Sequence, residues 1–240
     1  MTLKETNLTT IIRATNLTKV YYYNYNFVRA LVDCNLDIQQ GEFTAILGAK
    51  GSGKTTLLNL LGGLEQPADG TVFLGEQDIY SLKQDELAKV YRKEIGFIFQ
   101  KTNLFPSLTV HENIILPALL NHSDYDRKFY DMLIDRMKLR NLRNTCVKKL
   151  TPCQQQSVAV LRALINKPDI ILADEPTDHL DRQTGEEVLK LLFDYIHKYQ
   201  KTLVMVTNRQ YEYKEADHII RLNQGVIVED KRLSNVNDEL

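Results

Sequence analysis

The chain has 240 residues, 43% of them hydrophobic, so it can bury one full-sized core or two small ones. Lysine and arginine (30) balance aspartate and glutamate (31), so the basic excess of a dedicated nucleic-acid binder is missing. Three cysteines without CxxC spacing argue against a disulfide framework or a zinc site and point to a reducing cytosol.

Residues 1–10 are polar and lack the apolar core of a signal peptide. The richest apolar run, residues 57–64, is too short to span a bilayer and is interrupted by Gly62 and Gly63. Any spanning helices must therefore come from other chains. Residues 11–17 and 31–38 are partly alternating and predict strands, and 43–47 is a continuous apolar run expected as a buried strand. A glycine-rich loop follows, then a helix over 56–61 and a strand over 70–74 after a turn at Pro67.

From about 110 to 149 the pattern is helical and free of glycine. Tyr125, Phe129, Met132, Leu133 and Met137 fall on one helix face there. A helix over 158–165, a buried strand over 170–173, a helix with the stripe Val188, Leu191, Leu192, Tyr195 and Ile196, and a buried strand over 203–206 complete the pattern. Helices alternating with apolar strands imply a mostly parallel, doubly wound α/β sheet. The polar tail after Asp230 is expected to fray.

The loop Gly48-Ala49-Lys50-Gly51-Ser52-Gly53-Lys54-Thr55 matches the P-loop pattern in full and sits between a predicted strand and a predicted helix. Its glycines let successive N–H groups turn toward phosphate oxygens, and the helix start, with Thr56, adds partial positive charge. Lys54 reaches the outer phosphates, and the Thr55 hydroxyl is a magnesium ligand. Asp174 and Glu175 close the strand over 170–173, where Asp174 would hold the magnesium shell and Glu175 would polarise an attacking water. A solvated acidic pair is the plainer explanation of those carboxylates alone; the P-loop overrides it. Asn166-Lys167-Pro168-Asp169 also matches a guanine-reading pattern. It follows a helix and precedes a strand, the wrong context, so it is expected to be a helix-ending turn.

With these motifs in this order, residues 11–229 resemble the ATPase subunits of ABC transporters. The resemblance implies one domain over 1–240. Residues 1–99 and 158–230 would form a RecA-like P-loop core with an N-terminal antiparallel β subdomain. Residues 100–157 would form an inserted α-helical subdomain, with a polar tail at 231–240. Gln100 looks like the glutamine that, in the family, touches magnesium and the transport domain. Asp181 ends the D-loop. Tyr21, or Tyr22 beside it, stands where the family stacks an aromatic on adenine. Leu57-Leu58-Asn59-Leu60-Leu61-Gly62-Gly63-Leu64-Glu65, Ile95-Gly96-Phe97-Ile98-Phe99-Gln100 and Leu108-Thr109-Val110-His111-Glu112-Asn113 are similar to the macrolide-exporter, lipoprotein-release and antimicrobial-peptide-resistance subgroup. The implied ligands are ATP and magnesium. The implied partners are a transmembrane permease and a second ATPase subunit, at the cytoplasmic face of the cell membrane.

Two positions depart from that family. ATP there lies between the P-loop of one subunit and Leu-Ser-Gly-Gly-Gln of the other. Here the matching segment is Leu150-Thr151-Pro152-Cys153-Gln154. Thr151 and Gln154 form a capping box, and Pro152 falls at the first helical position, so the helix should still begin here. Pro152 has no N–H to give, and Cys153 adds a side chain where glycine allows close approach. Ser157 stands where the family has arginine. After Thr207 the family has a histidine on the terminal phosphate; this chain has Asn208, shorter and unable to take a proton. His179 is read as a surface residue and not as a substitute.

Hydrolysis is therefore expected to be weakened. The alternatives are a non-hydrolysing regulatory module, in which ATP closes a dimer without turnover, and a soluble ABC ATPase outside transport. The last usually carries a coiled-coil insert or a second ATPase domain, and this chain has neither.

Overall fold

The computed structural model describes residues 9–23, 26–178 and 180–233. The chain opens as a long antiparallel hairpin, β1 (Thr10–Tyr23) against β2 (Asn26–Gln39). The apolar run Phe43–Leu47 is β3, and α1 (Lys54–Leu61) follows the glycine-rich loop. β4 (Asp69–Leu74) and β5 (Gln77–Asp78) return to the hairpin and complete an antiparallel sheet of order β2-β1-β4-β5. α2 (Gln84–Lys93) leads into β6 (Ile95–Ile98). Next come α3 (Val110–Leu120), α4 (Arg127–Arg136) and α5 (Pro152–Leu164). The chain then alternates through β7 (Ile170–Asp174), α6 (Arg182–Tyr199), β8 (Thr202–Val206) and the short α7 (Gln210–Tyr213). It finishes on β9 (His218–Asn223) and β10 (Val226–Arg232).

The second sheet has order β10-β9-β3-β8-β7-β6, parallel except for β10 at one edge. β3, β7 and β8 are buried along their whole length, because both faces are covered, and so they read as unbroken apolar runs. The α6 stripe Val188, Leu191, Leu192, Tyr195 and Ile196 is buried as expected. Each such side chain contributes about 1.5–3 kcal/mol. This is the α/β P-loop fold with an antiparallel β subdomain and helices inserted between β6 and β7.

Several elements differ from expectation for physical reasons. The first two strands run well beyond 11–17 and 31–38. Left-handed Asn16 and Asp33 mark register shifts that break the two-residue alternation. α2 was not foreseen, since Val90 is its one buried residue. β9 and β10 carry weak signals in the sequence: β9 buries a polar residue, His218, at its start, and on β10 the apolar Val226 and Val228 are exposed. α1 begins at Lys54, two residues before the expected 56, whereas α5 begins at Pro152, where the capping box predicts it. The helical stretch over 110–149 is interrupted at left-handed His122 and Lys138. Within it, Met132 faces solvent while Phe129 and Leu133 are buried. The tail expected to fray after Asp230 continues as strand to Arg232.

One buried cluster gives the fold a pH dependence. The His218 ring, fully buried on β9, places Nδ1 3.0 Å from Glu42 Oε1 and Nε2 2.6 Å from Asp230 Oδ1. A neutral imidazole donates from one nitrogen only, so two carboxylates favour the charged ring. Burial pulls its pKa down, but the bonds to Glu42 and Asp230 outweigh this and raise it. The folded-state pKa is thus above the unfolded value of about 6.5. The cluster's contribution is complete below that value and is lost as pH rises through the folded pKa. Thermal melts should show the wild type losing stability on that alkaline limb, and a His218→Gln variant should show a flatter one.

Candidate nucleotide site

β3 ends at Leu47, and the chain bends through the loop into α1. Gly48 has φ 152° and Gly53 φ 103°; a Cβ on either would lie 2.4 Å from a carbonyl oxygen, of Leu222 and Ala30 respectively. Only glycine fits both. Gly53→Ala is expected to lower stability by about 1–3 kcal/mol through this strain, read as a lower denaturation midpoint. Gly53 is also the N-cap of α1 and makes no side-chain cap, so the first N–H groups of the helix stay open to an anion. Ser52 Oγ is buried in the loop without a hydrogen-bond partner among the described residues.

Lys54 lies across the loop and donates from Nζ to the carbonyls of Gly48 (2.8 Å) and Ala49 (2.9 Å). Burial lowers its pKa, opposed by Glu175 and Asp174. Ala49, Lys50 and Gly51 form the exposed crest of the loop.

The carboxyl ends of four parallel strands converge on this loop, the usual ligand edge of such a sheet. At the end of β7, Asp174 accepts from the Thr55 hydroxyl at 2.9 and 3.2 Å. Burial raises its pKa, against the Thr55 bond and the Lys54 charge. Glu175 has φ 44°, a left-handed backbone unusual outside glycine, and its N–H bonds the Val206 carbonyl at 3.0 Å. Beyond β6, Gln100 donates from Nε2 to Glu175 Oε2 at 2.8 Å and approaches Asp178 Oδ2 at 3.4 Å. Glu175 is pushed up by burial, then by Asp178 and Asp174. Beyond β8, Asn208 Oδ1 accepts from the Gly48 N–H at 3.3 Å. The Thr55 hydroxyl, the Asp174 carboxylate and the nearby Gln100 amide are a hard oxygen donor set that suits magnesium. Burial is the largest cause of the rise in both carboxyls, and the Lys54 charge opposes it in each.

A cavity of about 380 Å³ opens over the loop, lined by Gly53, Lys54, Thr55 and Thr56. Its far wall is Arg29 and Ala30 of β2 with Gln224 of the β9–β10 turn, none of them foreseen. No local motif marks them, because pairing across the hairpin brings them in. Tyr21 pairs directly with Val28, another wall residue, so the two share a face. The Tyr21 hydroxyl donates to Glu65 Oε2 at 2.6 Å and lies 3.4 Å from Thr56 Oγ1. Tyr22 pairs with Phe27 on the opposite face, both exposed.

The segment 151–154 lies apart from that cavity: Thr151, Pro152, Cys153 and Gln154 are not among its lining residues. The capping box forms, with Thr151 Oγ1 accepting from the Gln154 N–H at 3.3 Å and Gln154 Oε1 accepting from the Thr151 N–H at 3.0 Å. Pro152 is the first helical residue. The Ser157 hydroxyl bonds the Cys153 carbonyl at 3.1 Å, within its own helix. Asp181 caps α6 through Thr184; bonds to the Thr184 N–H and hydroxyl hold its carboxyl low, with a smaller part from Cys153. Asp169 pairs with Lys201 at the end of β7 remote from Asp174, so the guanine-type pattern is a turn at the opposite end of that strand from the P-loop side. His179 lies outside the described residues.

A phosphate loop, an uncapped helix start and a metal-suited carboxylate at the ends of parallel strands define a P-loop nucleotide-binding protein. The sequence pattern described as ABC transporter matches residues 31–178, and the chain belongs to that family. It is 38% identical over 236 residues to the uncharacterised ABC transporter ATP-binding protein MJ0796 of Methanocaldococcus jannaschii, covering 95% of this chain and 100% of that one. It is 40% identical over 207 residues to the macrolide export ATP-binding/permease protein MacB of Bradyrhizobium diazoefficiens, covering 85% of this chain. It spans only 32% of that MacB. The dimeric post-hydrolysis structure of the MJ0796 cassette bound to ADP and Pi superposes with a TM-score of 0.87 at 37% identity, covering 93% of this chain and 99% of that one.

Proposed function

We propose that this chain binds Mg-ATP as the nucleotide-binding subunit of an ABC transporter, in a dimer, with weakened hydrolysis. The observation that carries the reading is the loop itself: uncapped N–H groups and a free Ser52 hydroxyl under an open cavity, with Lys54 parked on loop carbonyls it can leave. Lys54 would exchange those carbonyls for the outer phosphates. Thr55 and Asp174, with Gln100, would hold magnesium, which when bound neutralises phosphate charge. Glu175 would take the proton of the attacking water. Tyr21, on the cavity face of the hairpin, is the better placed of the two tyrosines to stack on adenine.

Residues 151–154 would face the ATP of a second ATPase subunit. Asn208, with its oxygen fixed on the Gly48 N–H, would present its amide N–H₂ to the terminal phosphate. Among the described residues no helix is long and apolar enough to cross a membrane. A transmembrane permease would dock from the membrane side, with this chain on its cytoplasmic face. A groove of about 270 Å³ beside Phe99 and Asn103, next to Gln100, offers that contact. MacB, which carries ATP-binding and permease parts under one name, supports such a pairing.

Purified protein, assembled with its membrane subunit, should bind Mg-ATP and turn it over slowly, and Glu175→Gln should remove the turnover while keeping the binding. Turnover at a rate usual for the family would sink the weakened-site part. A non-hydrolysing regulatory role is the second reading, favoured by Pro152 and Cys153 in place of glycines; function in cells that survives Glu175→Gln would select it. A native pull-down from membranes tests the partners, with a permease and a second ATPase subunit expected.

A further inference from the structure

Behind Glu175 lies a group of side chains that the sequence motifs do not account for. Glu212, on α7, is 1% exposed. Its carboxylate accepts from the hydroxyls of Thr177 and Thr207 at once. Thr177 stands two residues after Glu175, and Thr207 one residue before Asn208. One buried carboxylate therefore ties together the two segments that carry these site residues.

Arg209 closes the same group from the surface side. Its Nη1 donates to the Thr177 carbonyl at 3.1 Å and lies 3.7 Å from Glu212 Oε1. Its Nη2 donates to the Asp178 carbonyl at 3.1 Å and to Asp178 Oδ1 at 3.2 Å. The Arg209 N–H bonds Thr207 Oγ1 at 3.1 Å, which turns the chain sharply at Asn208. A small cavity of about 90 Å³ is left between Glu175, Asp178, Asn208 and Arg209. At about 30 Å³ per molecule, it has room for two or three waters among polar partners.

We propose that Arg209 and Glu212 form a clasp that fixes Asn208 against Glu175 and thereby sets the amide on the terminal phosphate of bound ATP. They are positioning residues: they act through Asn208 and touch no phosphate themselves. Glu212 is buried while Arg209 reaches it from the surface, and a planar guanidinium with several fixed bonds gives one orientation where a lysine would give many. The proposal rests on the reading of the loop as a Mg-ATP site. It adds that recognition of the third phosphate depends on residues remote from the P-loop.

The test is a pair of affinities, for Mg-ATP and Mg-ADP, measured by titration calorimetry on the 240-residue chain. Arg209→Gln is expected to weaken Mg-ATP binding about tenfold, the scale of one charge-assisted hydrogen bond, and to leave Mg-ADP unchanged. Asn208→Ala should do the same, and the double variant should be no worse than Asn208→Ala alone. Losses that multiply in the double variant, or that strike ADP equally, would overturn the clasp. If Arg209→Gln does not fold, Glu212→Gln, which keeps size and acceptor, enters the same cycle. Wild-type protein that binds neither nucleotide refutes the underlying site instead, so the two failures are told apart.

Discussion

Replacing Lys54 by methionine is expected to remove nucleotide binding while leaving a folded protein. The ammonium group is held against the loop's own backbone, bonded to the Gly48 and Ala49 carbonyls. On ATP it would make two charge-assisted bonds to the outer phosphates. At about 1.5–3 kcal/mol each, their loss weakens binding roughly a hundredfold to ten-thousandfold. Methionine matches the length and suits a side chain that is 6% exposed, so the fold keeps its packing. The two carbonyls lose their donor, which costs at most about 1–3 kcal/mol and less where water reaches them. Thermal melts separate the effects. Mg-ATP at a hundred times the wild-type dissociation constant stabilises a binder by about 2.7 kcal/mol. The wild type should shift upward with ligand and the variant should not. A Lys54→Met protein that shifts as the wild type does would show that the loop is not the phosphate site.

The parts of this site that the sequence discloses are those made by contiguous residues. The loop over 48–55, Asp174 and Glu175 at a strand end, and Thr151 with Gln154 as a capping box each depend on local backbone geometry. The structure places them as local chemistry demands. What stayed hidden comes from pairing across the chain. Arg29 reaches the cavity because β2 folds back along β1, and the register shifts at Asn16 and Asp33 scramble the alternation that would have revealed those strands. Glu212 reads as one acidic residue among polar neighbours, yet it is buried, because Thr177 and Thr207 supply hydroxyls from two other segments. Tyr21 and Tyr22 are indistinguishable in a run of tyrosines; pairing with Val28 or with Phe27 assigns them to opposite faces. His218 gives no sequence signal either, although it is fully buried between two carboxylates.

Restoring glycine at residues 152 and 153 is expected to move two measurable quantities in opposite directions. The structure keeps the helix start intact: Thr151 caps α5, Gln154 returns the bond, and Pro152 occupies the first helical position. The departure therefore leaves the helix start intact, and under the proposed function the loss would fall on what this helix end offers a partner's ATP. Glycine at 152 returns an N–H that proline lacks, and glycine at 153 removes the side chain that keeps a phosphate at a distance. One or two recovered bonds to a charged group, at about 1.5–3 kcal/mol each, should tighten ATP-driven dimer formation roughly tenfold to ten-thousandfold. The helix itself should weaken by up to about 1 kcal/mol per glycine. The Pro152→Gly, Cys153→Gly variant should thus melt lower without nucleotide and dimerise more tightly with it. Sedimentation in a Glu175→Gln background, which holds ATP unhydrolysed, reads the dimer. Pro152→Ala separates the causes, since it returns the N–H but keeps a Cβ. Tighter association with alanine assigns the defect to the missing donor, and a gain only with glycine assigns it to close approach. A dimer no tighter than wild type with both glycines in place would mean that residues 151–154 do not face a nucleotide.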